Sequence, residues 1–448
     1  MSKRSETDWL TEAPVSQAIW HMALPMMLGM LVNVLYSLTD TFFIGQLNST
    51  PAMAAVTLVL PVMTLFMAIG NFFGTGGSTL FSRLLGAKDE AAARRCCATT
   101  IWLSVFSGVI CAAAALPLLQ SIALFLGADA STLPDTRQYL LFYVIGAPVV
   151  VLNFALEQII RGEGASVQSM AGMALSVAVN LALDPLFLFG LHWGVGGAAL
   201  ATVLGNLAAV LYYLVCIRRS GKYLSASLKE LSFQRTMLAD IFQIGLSALL
   251  LDAFLLVSAL VLNYYAMRYG GYVLAAIGIS QKLVQVVDLV AMGLCMGSVP
   301  LVAAAFGARN TDRQKQVIRK TAGYLTVLVL LLAGGLFLFR AQVVQCFSQD
   351  QEVLQVAPFV LAVQLASSFF AAGSELFTGI FQAEGKAAKA TVMAVARGVA
   401  FVPAVVLCNT LWGLRGMIVS LLVSEAAAFL IGLVLVGPCE KKTCQPAC

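Results

Sequence analysis

The feature that most constrains this chain is a succession of long, unbroken apolar runs, near residues 17–45, 53–80, 95–119, 134–157, 168–190, 195–217, 239–265, 273–301, 320–340, 356–379, 389–411 and 414–437. Each is about 20 residues or longer, enough to cross a ~30 Å hydrocarbon core as a helix. The apolar residues are continuous, not alternating, which rules out the dyad pattern of a transmembrane β-barrel. An all-α polytopic membrane protein with twelve transmembrane helices is therefore predicted, and its first partner is the lipid bilayer. Composition leaves no room for another class: 60% of the residues are hydrophobic, 11% are charged and the mean hydropathy is +0.89. Such a chain is neither disordered, nor a secreted disulfide scaffold, nor a nucleic-acid binder.

The few charges fix an orientation. With the N-terminus on the cytoplasmic side, 21 of the 27 Lys and Arg residues fall in cytoplasmic segments. Only 4 of them, Arg137, Arg268, Arg340 and Arg415, fall in outer loops. Lys282 and Arg397 complete the count inside spans. By the positive-inside rule both termini are cytoplasmic, and the chain is a multi-pass protein of the cell membrane. The net charge of +5 is thus a topology signal and implies no acidic partner.

The sequence also repeats itself. An offset of 221 residues sets Leu85-Gly-Ala-Lys88 on Phe306-Gly-Ala-Arg309 and Arg161-Gly-Glu-Gly164 on Gln382-Ala-Glu-Gly385. With two residues of slippage, Trp193-Gly-Val-Gly-Gly197 then meets Trp412-Gly-Leu-Arg-Gly416. Two six-helix lobes follow, over 1–217 and 239–438, with a basic cytoplasmic linker over 218–238 and a cytoplasmic tail over 439–448. Six is even, so both lobes enter the membrane in the same sense. They are parallel repeats, an arrangement common among secondary transporters.

An ionisable side chain at the centre of a membrane helix costs ~2.5 kcal/mol or more, so each one inside a span is a functional candidate. Asp40 lies in the outer part of span one and Asp184 in the outer part of span five. Asn180 precedes Asp184 by one helical turn, and Thr202 and Asn206 repeat that relation on span six. Asn33, Tyr36, Ser37 and Asp40 form a polar stripe on span one. Two carboxylates, an amide oxygen and a hydroxyl are hard oxygen donors that suit a proton or a hard cation. No His or Cys spacing suits a metal site.

The second half carries Asp252, Asp288, Glu375 and Glu425 within spans. Gln281, Gln285 and Asp288 share one helix face, as do Gln364, Ser368, Glu375 and Thr378. Two readings stand side by side. These stripes face a wet cavity whose acids suit organic cations, or Asp288 or Glu425 neutralises Lys282 or Arg397 and locks helices together.

Enzymatic readings fail for want of parts. Gly221-Lys222 is followed by Tyr223 and Gly385-Lys386 by Ala387, so no phosphate-binding loop exists. No nucleophile elbow or zinc constellation appears either, and no cofactor is expected.

Five segments, in order, give the chain a family likeness: Ser37-Leu-Thr-Asp-Thr-Phe-Phe-Ile-Gly45; Gly74-Thr-Gly-Gly77 running into Ser82-Arg-Leu-Leu-Gly-Ala87; Arg161-Gly-Glu-Gly164; Asp184-Pro-Leu-Phe187; and Trp193-Gly-Val-Gly-Gly197. By their order and spacing the sequence resembles the multidrug and toxic compound extrusion (MATE) family over essentially its whole length. The resemblance implies a two-lobed, twelve-helix secondary active exporter, expected to act as a monomer. It would move organic cations or amphipathic drugs outward by antiport with protons or sodium ions, through alternating access. It also implies that Asp40, Asn180, Asp184 and Thr202 form the cation site of the first lobe. Asn33, Tyr36 and Asn153 are supporting candidates, and Gln281, Gln285, Asp252, Asp288 and Glu375 are candidates for a substrate cavity. A lipid-linked oligosaccharide flippase of the same superfamily would keep the fold but need a cationic cavity for a diphosphate. With only Lys282 and Arg397 inside spans, the charge balance argues against it.

Overall fold

In a computed structural model of the chain, residues 6–46, 49–220 and 223–437 are described, and among them no strand occurs. The elements are α1 (Glu6–Thr11), α2 (Val15–Gly45), α3 (Thr50–Gly86), α4 (Glu90–Ala115), α5 (Leu119–Phe125), α6 (Leu133–Ile145), α7 (Ala147–Gly162), α8 (Ser166–Pro185) and α9 (Gly194–Ser220). There follow α10 (Arg235–Tyr269), α11 (Gly271–Gly307), α12 (Thr311–Leu338), α13 (Arg340–Phe347), α14 (Gln351–Ala383), α15 (Ala387–Val399) and α16 (Phe401–Val436).

Ten helical segments among the described residues are long and apolar enough to cross a membrane, and the pair α6 and α7, bent by 55°, adds an eleventh. The last segment, Ala387–Val436, has 50 residues. As one straight helix it would run ~75 Å, far beyond the thickness of a bilayer. It breaks instead at Gly413, whose φ of 56° and ψ of −136° only glycine adopts without strain. Split there, this segment becomes two, and the count among the described residues reaches the twelve spans expected.

The repeat is visible in the backbone as a set of matching left-handed turns. Lys88 and Arg309, one repeat apart, have φ of 60° and 54°. Each ends its helix in a Schellman closure. Asp89 N–H reaches Leu84 O at 3.1 Å and Asn310 N–H reaches Ala305 O at 3.0 Å. Each turn then starts the next helix with a side-chain cap. Asp89 Oδ1 accepts from Ala92 N–H, and Asn310 Oδ1 from Arg313 N–H, both at 2.9 Å. Gly164 and Gly385, and Gly194 and Gly413, are further positive-φ pairs in equivalent places. The short motifs that recur in the sequence are thus the hairpin turns between helices.

The chain divides into two compact units. The first comprises Met1–Leu249, Met296–Ile318 and Ala383–Gly385; the second comprises Leu250–Cys295, Arg319–Gln382 and the chain from Lys386. In the first unit, α3, α6, α7 and α9 close over an apolar core that includes Tyr139, Leu140, Tyr143, Val150 and Val151. The C-terminal ends of α3 and α11 also meet in this unit. A Cβ on Gly86 would lie 1.9 Å from Ala304 O, and one on Gly307 would lie 1.9 Å from Arg83 O. The two contacts exchange under the 221-residue offset, so this is a local two-fold crossing that only glycine permits. In the second unit, helices α10, α11, α14, α15 and α16 surround a cavity.

Candidate functional site

In the first unit, three helices bring polar side chains together inside an apolar surrounding. Asp184 sits at the end of α8 with no solvent exposure, and Asn180, one turn earlier, is equally enclosed. Oriented to satisfy both neighbours, the Asn180 amide donates to Asp184 Oδ2 at 2.9 Å and accepts from the Thr202 hydroxyl at 3.3 Å. Thr202 lies on α9, as does Asn206, whose amide donates to Thr202 O at 2.8 Å. Asn153 on α7 donates to Asn206 Oδ1, also at 2.8 Å. The result is a continuous hydrogen-bonded line from α7 through α9 to α8. It ends on the buried carboxylate of Asp184.

Proline shapes the end of that line. Pro185 follows Asp184 directly and has no N–H to give to the preceding turn. The backbone then widens into a π-turn over Leu186–Gly190, with Leu191 N–H bonded to Leu186 O at 2.8 Å. Such insertions re-aim side chains and recur at working sites. Asp40, Asn33 and Tyr36 fall on α2, which packs beside α8 where Gly29 meets Met173. Their side chains lie outside the described residues.

One feature of this unit escaped the sequence reading. Glu157 and Arg161 on α7 are both buried and face each other at 3.7 Å, an i, i+4 ion pair. Arg161 also donates to Gln158 Oε1, and Gln158 in turn donates to Asn71 Oδ1 at 3.3 Å. The signal was present as an acid four residues before a base. It was hidden because Arg161 also belongs to a turn motif and reads as a loop charge.

The turn after α7 carries a carboxylate outside the spans. Glu163 is 4% exposed, and its carboxyl is pushed up to about 7 by burial and by the nearby charge of Glu6. α1 covers this turn: a Cβ on Gly164 would lie 2.6 Å from Glu6 O. Arg313 holds α1 in place by donating to the carbonyls of Trp9, Leu10 and Ala13 at 3.4, 3.2 and 2.8 Å.

The second unit holds a cavity of about 750 Å³. Asp252 from α10, Gln281, Gln285 and Asp288 from α11, and Glu375 from α14 all line it. Lys282, Gln364, Ser368, Arg397 and Glu425 also line it. Arg397 Nη1 donates to Glu375 Oε2 at 2.5 Å, and its Nε lies 3.5 Å from Glu425 Oε2. The two sequence readings of these acids therefore meet at one place: the acids face a cavity, and two of them engage Arg397. Four carboxylates against two cations leave the wall with an acidic excess. A group of that charge inside a low-dielectric surround attracts cations strongly and repels anions.

Comparison with known proteins agrees in fold and kind. A family model described as MatE matches residues 25–186 and again residues 248–407. The multidrug export protein MepA of Staphylococcus aureus (strain NCTC 8325 / PS 47) is 37% identical over 434 residues, covering 97% of this chain and 96% of that protein. A solved outward-facing multidrug resistance MATE family transporter of the MOP superfamily matches with a TM-score of 0.90 at 24% identity, over 97% of this chain and 98% of that one. A MATE crystal structure in a straight conformation matches with a TM-score of 0.89 at 25% identity, over 96% and 97%. The double match of the family model, once in each half, coincides with the internal repeat.

Proposed function

Because this chain belongs to the MatE family of membrane transporters, we propose that it is a secondary active multidrug exporter of amphipathic organic cations, driven by antiport with protons or sodium ions. The observation that carries this reading is the acidic cavity of the second unit. A cation entering it gains attraction from Asp252, Asp288 and Glu375, and its apolar parts find Leu251, Leu255, Leu262 and Phe401 in the same wall. Gln281 and Gln285 add neutral donors and acceptors that suit many ligand shapes.

Coupling falls to the first unit. Asp184, Asn180 and Thr202, with Asp40 from α2, form the ion site, and Asn153, Asn33 and Tyr36 support it. Carboxylates set among neutral oxygen donors hold either a proton or a sodium ion, because either one offsets their charge. Export then needs ion and substrate to favour different states of the two lobes, 1–217 and 239–438. Both termini face the cytoplasm in this reading, and the monomer is the working unit.

The flippase reading fares worse. A lipid-linked diphosphate needs a cationic cavity, yet one of the two cations in this wall, Arg397, is already bound to Glu375.

The test is efflux of a cationic dye from proteoliposomes under proton and sodium gradients imposed separately. Uphill export under one of the two gradients is expected. Absence of transport under both, with the protein folded and inserted, would overturn the reading.

A further inference from the structure

Arg397 stands out in the cavity wall for how it is held. A guanidinium offers five donors in a planar fork and is usually found where several of them are used. Here one strong bond, from Nη1 to Glu375, anchors it. Its Nε and the facing Glu425 Oε2 are both buried at 3.5 Å without a hydrogen bond between them. The guanidinium is thus drawn to two carboxylates by charge but only half fastened by geometry. Elsewhere in the same wall, Gln364 is 8% exposed and its Oε1 is a buried acceptor with no hydrogen-bond partner among the described residues. The wall therefore presents an unused acceptor and an incompletely bonded ion pair around an open volume of about 750 Å³.

A buried guanidinium fully seated on a carboxylate would be costly to displace, because both groups would be left charged and dry. One held by a single hydrogen bond, next to a roomy cavity, loses much less on release. The incoming group that can take its place must bring its own positive charge to Glu375. A neutral molecule cannot do so, however well its apolar surface fits.

We infer that Arg397 is a tethered counter-cation, occupying Glu375 and Glu425 when no substrate is bound and yielding Glu375 to a substrate cation, so that it sets the charge requirement of the cavity. This inference rests on the proposed use of the cavity for organic cations, and it makes Arg397 a specificity-determining residue of that site. Arg397 works by competition. Removing it should make binding tighter, the opposite of what a contact residue does.

The experiment is equilibrium binding, at pH 8, of a monovalent fluorescent organic cation and of an uncharged analogue to the purified full chain. Arg397→Gln should bind the cation about tenfold more tightly than the wild type and the neutral analogue equally well. Arg397→Gln leaves Glu375 and Glu425 without their cation and destabilises the fold, so a second variant keeps the test open. Arg397→Gln with Glu425→Gln keeps the net charge of the wall but still frees Glu375. It should also bind the cation more tightly than the wild type, which a mere change in net charge would not produce. Unchanged or weaker cation binding in both variants, with wild-type binding intact, overturns the inference and leaves the cavity reading standing. No binding of the cation to the wild type, or binding indifferent to Asp252→Asn, Asp288→Asn and Glu375→Gln together, overturns the cavity reading itself.

Discussion

The two halves of the molecule are built on one repeat, yet they place polar groups in the membrane in opposite ways. In the first unit Asn153, Asn206, Thr202 and Asn180 pass hydrogen bonds from helix to helix, and a single acid, Asp184, closes the line. Apart from that acid the side chains of the line are neutral, and all of them are enclosed. In the second unit six ionisable side chains, Asp252, Asp288, Glu375, Glu425, Lys282 and Arg397, stand with neutral polar ones around open space. A site that selects a small ion needs the first arrangement, because fixed oxygens at short range discriminate by size and charge. A site that accepts many molecules needs the second, because long-range attraction and volume tolerate many shapes.

The sharpest way to break this comparison is at Asp184. Asp184→Asn keeps the shape of the side chain and removes its charge. Gradient-driven export should fall by about a hundredfold for every substrate alike, since the loss is of coupling itself. Efflux of a monovalent dye, a divalent dye and a neutral compound, measured on the same vesicles, checks this. A variant that still concentrates any of them at the wild-type rate would remove Asp184 from the proposed ion site.

Changes in the second unit should instead divide substrates from one another. Asp252→Asn, Asp288→Asn and Glu375→Gln should each weaken export of the divalent dye by about tenfold, that of the monovalent dye by less, and leave the neutral compound nearly unchanged. The gradation follows from Coulomb attraction, which scales with ligand charge. Uniform loss across all three compounds would mean that these acids hold helices together or move ions.

How far the sequence discloses each half depends on how local the signal is. The twelve spans and the hairpin turns are legible because apolar runs and left-handed turn residues are written in contiguous stretches. Even the break at Gly413 is legible, as an echo of the motif that begins at Trp193. The line from Asn153 to Asp184 is half legible: i, i+4 spacing pairs Asn180 with Asp184 and Thr202 with Asn206, but no spacing says which faces of α7, α8 and α9 meet. The partners of Arg397 are legible only in part: the sequence offers Glu425 beside Asp288 as an alternative, but not Glu375. Glu375, Glu425 and Asp288 are equally acidic and equally apolar in setting, and only the packing of α14 and α16 around α15 selects Glu375 and Glu425.

Packing separates the units as clearly as charge does. Gly86→Ala would drive its methyl into Ala304 O, now 1.9 Å from the ideal Cβ position, and should cost about 1–3 kcal/mol or more. Gly278 lines the cavity, and a Cβ there would meet nothing within 4 Å. Gly278→Ala should therefore be neutral or stabilise α11 by up to about 1 kcal/mol, the intrinsic helical preference for alanine. Thermal unfolding of the two variants in one detergent measures the contrast. Equal losses in both would mean that the cavity wall is as tightly constrained as the crossing of α3 and α11.

The smallest effect is expected where the repeat places one residue in two settings. Glu163 and Glu384 are equivalent positions, but Glu163 is buried near Glu6, whereas Glu384 accepts a 2.6 Å hydrogen bond from Gln314. For Glu163 the folded protein raises the carboxyl from an ordinary 4.5 to about 7. A raised acid favours the protonated native state. Its contribution is therefore complete below pH 4.5 and is lost as pH rises to about 7, by at most ~3 kcal/mol. Glu163→Gln fixes the neutral form, so the variant should match the wild type near pH 5 and exceed it near pH 8, by a few degrees in Tm. Glu384→Gln exchanges a charged acceptor for a neutral one and should give no such gain at pH 8. If Glu163→Gln instead lowers Tm equally at both values, the carboxylate is needed in its charged form. The turn would then be held by an ion pair, and burial could not be what distinguishes these two equivalent positions.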